Sequence, residues 1–95
     1  LGLGTPVLDV RKISEWNVCH LRNAVFLPLT DFPANTSSLD KDKTYIVHCG
    51  GGYRSMTAIS IMKNLGFQNL INVAGGFSAM QNVGLPIICE EEIPA

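Results

Sequence analysis

No stretch of this 95-residue chain approaches the ~20 consecutive apolar residues that a membrane-spanning helix requires. The opening Leu1-Gly2-Leu3-Gly4 lacks the basic region and cleavage pattern of a secretory signal, and its first residue is not methionine. The chain is accordingly read as processed or cut from something longer. Charge is scarce, with seven Lys and Arg against eight Asp and Glu for a net −1. The basic residues are thinly spread, which implies neither a nucleic-acid partner nor an anionic membrane surface. Cysteine is also scarce. Positions 19, 49 and 89 make an odd count with gaps of 30 and 40 residues, which fits neither a disulfide framework nor a C-x-x-C zinc site. The expectation is a reducing, cytoplasmic setting with at least one reactive thiol, in which Cys19 and Cys89 are small buried hydrophobes.

What is present suits one small domain over residues 1–95, with 1–6 a lead-in or linker and 90–95 an acidic tail. Hydrophobic residues make up 46%, enough to build a core without staples. Strands are expected at Val7–Arg11, Val25–Leu29 and Thr44–His48, then at Leu70–Val73 and as an edge at Ile87–Cys89. Helical segments are expected at Ile13–Trp16 with Ser14 as a possible N-cap, from about Ser55 to Leu65 ending at Gly66, and at Phe77–Val83. Cys19–Ala24 reads as a loop, and Phe32–Leu39 as irregular because Pro33, Asn35, Thr36, Ser37 and Ser38 interrupt it. In the second helix Met56, Ile59, Met62 and Leu65, flanked by Ala58 and Ile61, form a stripe expected to face the core. Strands alternating with helices at short spacing predict an α/β sheet, mostly parallel with right-handed crossovers.

The chemistry concentrates in Thr44–Leu65, where a buried strand runs into Cys49-Gly50-Gly51-Gly52-Tyr53-Arg54-Ser55 and then a helix. A cysteine at the C-terminal end of a central strand faces the crevice where open α/β sheets hold ligands. Consecutive glycines let backbone N–H groups converge on one point, and the helix start adds its positive end. Arg54 brings a cation to the loop's last turn. A thiol in such a cradle is expected to ionise readily. Asp9 and Arg11, two residues apart at the end of the first strand, read as an ion pair supporting the loops. His20 reads as a hydrogen bonder that orders its loop, His48 as a packed neighbour of the cysteine, and Trp16 as a core or rim aromatic.

With these residues in hand, the chain resembles the rhodanese family of sulfurtransferases over essentially its whole length. Cys49, Gly52 and Arg54 are similar to the family's Cys-x-x-Gly-x-Arg active loop. Leu8-Asp9-Val10-Arg11 resembles its Asp-x-Arg strand end, and His20-Leu21 followed by Ala24 its Gly-His-Ile-x-Gly-Ala motif. Gly75-Gly76-Phe77 with Met80 and Gly84-Leu85-Pro86 is similar to its C-terminal helix. Cys19 and Asn23 replace both glycines of the histidine motif, and the family's usual first strand and helix are absent or lie in a longer parent. Such domains often occur fused to others.

The resemblance implies a three-layer rhodanese-like fold, with a mostly parallel central sheet of four to five strands flanked by helices. It implies a sulfurtransferase with no metal or organic cofactor. Cys49 would take a sulfane sulfur from thiosulfate or a persulfide such as glutathione persulfide, and pass it to a thiol or cyanide. Gly50, Gly51, Gly52, Tyr53, Arg54 and Ser55 would bind the anion, with Asp9, Arg11 and His20 in support. Partners are then small-molecule donors and acceptors and a possible fused or partner domain, with neither nucleic acid nor membrane. Cysteine phosphatases share a His-Cys opening like His48-Cys49 but carry a longer loop before the arginine. Here only four residues separate Cys49 from Arg54. A non-catalytic interaction or sulfide-sensing module is the remaining alternative. Gly50 and Gly51 leave the loop's rim small and neutral, which points to a donor bulkier than thiosulfate.

Overall fold

A computed structural model describes residues 5–51, 53–82, 84 and 86–89. The expectations placed on the lead-in at 1–4, on Gly52, Val83 and Leu85, and on the tail at 90–95 lie outside the described residues. Four strands form a parallel sheet in the order β3-β1-β4-β5, namely Val25–Phe26, Val7–Asp9, Thr44–His48 and Asn69–Asn72. The first strand is shorter than its apolar run suggests, although Val10 still donates its N–H to His48 O at 3.1 Å. β4 is the sheet's centre, with Tyr45, Ile46, Val47 and His48 all buried, as befits a parallel strand covered on both faces.

Strand alternation sends two different sets of side chains to the two faces. Leu8, Val10, Tyr45, Val47 and Cys49 join Ala58 and Met62 of helix α2 (Tyr53–Asn64) and Phe67 in one apolar cluster. On the other face Asp9, Arg11 and His48 meet Phe77 of helix α3 (Gly76–Asn82). The result is the α/β architecture expected of the sequence, with helix cover on both sides of a mostly parallel sheet.

Helix α1 (Ile13–Val18) begins two residues earlier than Ser14 would allow as a cap. Lys12 occupies the cap position, and Glu15 accepts the Lys12 N–H at 3.1 Å, which settles the start. In α2 the buried stripe is Ser55, Ala58 and Met62, and Met56 is 59% exposed. The expected core role of Met56 is therefore corrected. The helix is phased by Ser55, which points under the preceding loop, and Met56 rotates out by one position.

Two further expectations are overturned together. Cys19–Leu21 is a strand, β2, not a loop, and it pairs antiparallel with β6 (Ile87–Cys89). β6 is thus no edge of the main sheet but half of a separate two-stranded ribbon. Cys19 stands directly opposite Cys89 in that ribbon, and the two form a disulfide. They are not the isolated hydrophobes expected from composition, because the fold brings together positions 70 residues apart. A bridge closing a loop of that length lowers the entropy of the unfolded chain by roughly 4 kcal/mol in the chain-entropy account. Two-stranded ribbons are marginal alone, so this one leans on its covalent tie.

Candidate active site

Cys49 follows the last residue of β4 and is fully buried, on the face covered by α2. Its Sγ lies 3.6 Å from the hydroxyl of Ser55, in the first turn of α2. The Ser55 hydroxyl is hydrogen-bonded to Asn72 Oδ1 at 2.5 Å, at the end of β5. Strand end, helix start and neighbouring strand end thus converge on one sulfur, in the crevice at the C-terminal edge of the sheet. Ser55→Ala removes the hydroxyl beside the sulfur. It is expected to slow a Cys49-dependent reaction on the order of tenfold, less than the loss of a full oxyanion-hole donor, in a steady-state assay.

Arg54 sits beside the same thiol. Its guanidinium makes a two-pronged pair with Glu15 of α1, Nη1 to Oε1 at 2.5 Å and Nη2 to Oε2 at 2.9 Å. The hydrogen bond and charge of Glu15 chiefly, with smaller help from Cys49, hold Arg54 above its already high ordinary pKa against the opposing effect of burial. The same pair drags Glu15 down from 4.5 to about 2. Arg54 is therefore occupied as a bracket between α1 and the cysteine loop, with its charge offset by a carboxylate. Gly50 completes the bracket, since a Cβ there would come within 2.9 Å of Arg54 Nη2 and 3.4 Å of Glu15 Oε2.

Beneath the loop, Asp9 accepts from Arg11 Nε at 2.9 Å and Nη2 at 2.8 Å, and both residues are buried. Arg11 also donates to Cys19 O at 2.7 Å and lies 4.1 Å over the Phe77 ring. His48 Nε2 is 3.6 Å from Asp9 Oδ2 and makes no hydrogen bond to a described residue. Burial pushes the His48 pKa down from 6.5, against the pull of Asp9, so the ring is neutral at neutral pH.

These shifts predict a two-step acid profile of stability. Both groups titrate lower in the folded chain than in the unfolded one, so each contribution is complete above the ordinary value and is lost on acidification. For His48 the loss begins as pH falls through 6.5, and for Glu15 it begins at 4.5 and runs to about 2. The Glu15 step is expected to be about 1 kcal/mol or less, because its side chain is 33% exposed. Melting temperature against pH should lose the upper step in His48→Gln and the lower step in Glu15→Gln.

The turn Gly75-Gly76 lies against the loop from the other side. Phe77 donates its N–H to Cys49 O at 2.8 Å. Gly76 has φ +59°, and a Cβ on it would stand 2.4 Å from Cys49 O and 2.5 Å from Gly50 O. Only glycine admits that approach. Further out, His20 stacks on Trp16 with ring centroids 3.6 Å apart, and its Nδ1 hydrogen-bonds Trp16 O at 2.9 Å. A cavity of about 380 Å³ opens between α1 and α3, lined by Arg11, Glu15, Val18, Cys19 and Phe77 among others.

The structure thus brings Cys49, Gly50, Arg54 and Ser55 together. It places Asp9 and Arg11 one layer below and keeps His20 beside α1. Gly51 and Tyr53 turn outward, with Tyr53 83% exposed. Sequence reasoning missed Glu15 and Asn72 as partners. Glu15 had no signal beyond being the one acid of its short helix. Asn72 had none beyond its place at a strand end.

The chain matches the Rhodanese-like domain family over residues 2–83 and belongs to it. It is 29% identical over 85 residues to a sulfurtransferase of Allochromatium vinosum, covering 90% of this chain and 79% of that protein. It is 34% identical over 80 residues to the putative sulfurtransferase YtwF of Bacillus subtilis, covering 84% and 77%. The crystal structure of the Rhodanese_3 like domain from the Anabaena sp. Alr3790 protein superposes with a TM-score of 0.85 at 28% identity, covering 90% of this chain and 99% of that one. Two other relatives are longer proteins, of which the chain spans only 20% and 38%. Among the described residues, no helix is long and apolar enough to cross a membrane.

Proposed function

We propose that the chain is a sulfurtransferase that carries sulfane sulfur on Cys49 and takes it from an organic persulfide in preference to thiosulfate. The observation that carries this reading is the fully buried Cys49 sulfur held between the Arg54 guanidinium and the Ser55 hydroxyl. A cation and a helix start beside a thiol favour its thiolate, the form that attacks. The thiolate attacks the donor's outer sulfur, the donor's own S–S bond breaks so that its remainder leaves as the thiol, and the Cys49 persulfide anion rests on the loop. An acceptor thiol or cyanide then takes the sulfur and regenerates the thiolate. The backbone N–H groups of Gly50, Gly51, Gly52, Tyr53, Arg54 and Ser55 are the donors proposed for the transferring charge.

Donor preference follows from the charge around the loop. Thiosulfate is a dianion and needs an unpaired cation, whereas Arg54 is already bracketed by Glu15. The nearby surface of α2 is apolar and exposed at Tyr53 and Met56, which suits a larger organic donor. A thiol-rich compartment such as the cytoplasm would supply both donor and acceptor. The partners in this reading are small molecules, or a protein thiol brought close by a fused or associated domain.

The test is a steady-state comparison of thiosulfate and glutathione persulfide, with cyanide and with a thiol as acceptors. The expected result is a kcat/KM at least tenfold higher for the persulfide. A low Michaelis constant for thiosulfate would sink the donor preference. Hydrolysis of an aryl phosphate without sulfur transfer would turn the reading to a phosphatase, and inertness in every assay to an interaction module.

A further inference from the structure

We infer that the Cys19–Cys89 bridge is a reversible thiol–disulfide switch, opened by a low-molecular-weight thiol, that sets how tightly Glu15 and Arg54 close over Cys49. The inference concerns a site remote in sequence from the active loop. It draws on the functional reading only in taking Cys49 as the residue whose access is controlled.

The contacts run without a break from the bridge to the loop. Cys19 is the C-terminal cap of α1, and its N–H bonds to Glu15 O. Its own carbonyl is held by Arg11 Nη2 at 2.7 Å. The Glu15 carboxylate, one turn back in the same six-residue helix, grips both ends of the Arg54 guanidinium. Arg54 in turn lies on Cys49, which is fully buried. On the other side, β6 is tied to the domain by its ladder with β2, by the bridge and by the bond from Arg22 N to Pro86 O at 3.0 Å. A three-residue ribbon of this kind is poorly stable once its covalent tie is cut. The α1 C-terminus then loses its anchor, and with it the fixed position of Glu15.

The structure also provides an approach. Cys19 lines the 380 Å³ cavity together with Glu15, Val18 and Phe77. That volume accommodates a cysteine derivative or a small cysteine-containing peptide. Its wall offers apolar surface at Val18 and Phe77 and the side chains of Arg11 and Glu15, each paired elsewhere. The thiolate attacks Cys19 Sγ, the bond to Cys89 breaks, and Cys89 leaves as a thiolate that takes a proton. A second thiol attacks the mixed disulfide at the external sulfur and releases Cys19 as a thiol. The protein gains two electrons and two protons, and two external thiols become one disulfide. The reverse reaction with that external disulfide closes the switch.

The test equilibrates the full chain across a series of glutathione to glutathione disulfide ratios. Samples are quenched in acid, alkylated and mapped, while circular dichroism reports the fold. Cys19 and Cys89 are expected to become alkylatable together, in one two-electron transition, in protein that remains folded. The rate at which iodoacetamide modifies Cys49 is then compared in the oxidised and reduced chains, and is expected to rise at least threefold on reduction. Oxidised Glu15→Gln should show the faster rate already, and reduction should add little to it. Cysteines that alkylate independently of each other overturn the inference, as does a bridge that opens only when the chain unfolds. An unchanged Cys49 rate overturns it equally. None of these readouts requires sulfur transfer, so failure here is distinct from failure of the proposed function. If the double variant Cys19→Ala/Cys89→Ala does not fold, the reduced native chain still decides.

Discussion

Replacing Gly76 by alanine is expected to cost the fold about 3 kcal/mol, combining the left-handed backbone with an overpacked contact. The position has φ +59°, and the added methyl would meet the carbonyl oxygens of Cys49 and Gly50 at 2.4 and 2.5 Å. Backbone atoms cannot swing away as a side chain can, so the loop itself must move. The damage is therefore double. Stability falls, and the loop that seats the thiol shifts even in molecules that remain folded. Denaturant unfolding reads the first effect and the rate of Cys49 alkylation the second. Gly51→Ala is the internal control, since a Cβ there meets nothing within 4 Å. Equal losses in the two variants would contradict this account of the turn.

Removing the Arg54 guanidinium should have the largest effect on turnover short of removing the thiol. Arg54→Ala is expected to lower kcat/KM on the order of a hundredfold, the scale of a lost electrostatic donor at a reacting centre. Glu15→Gln should lose about tenfold, because the amide keeps the shape but surrenders the ion pair that aims the guanidinium. Arg54→Lys is not expected to rescue either, since a single ammonium cannot make a two-pronged bracket. The double variant Glu15→Gln/Arg54→Ala should be no worse than Arg54→Ala alone, the signature of two residues acting as one unit. Losses that simply multiply would mean that Glu15 acts on the site by another route.

The pattern of what the sequence revealed has a physical cause. β4 lies where its β-branched and aromatic run places it, and α2 starts two residues before the expected Ser55. Both are local structures whose signals sit inside their own few residues. Cys49 and Arg54 were legible for the same reason, being close together in one loop. The partners of that loop were not. Glu15 reaches Arg54 across 39 positions and Asn72 reaches Ser55 across 17. β6 stands at the expected Ile87–Cys89, but its partner β2 and their pairing were illegible, because β2 is three residues long and finds its register only in the other strand. The cysteines of that ribbon read as buried hydrophobes because nothing near either one signals a bridge. Met56 misled because apolar spacing fixes a helix's period but not its phase, and the phase is set here by Ser55 turning under the loop.

The proposed chemistry rests on Cys49 as the sulfur carrier. The direct measurement is the intact mass of the protein after incubation with glutathione persulfide, before and after an acceptor thiol is added. The expected result is a gain of one sulfur, about 32 Da, that maps to Cys49, is discharged by the acceptor and is absent from Cys49→Ser. A gain that survives in Cys49→Ser, or no gain with any sulfane donor, would contradict it.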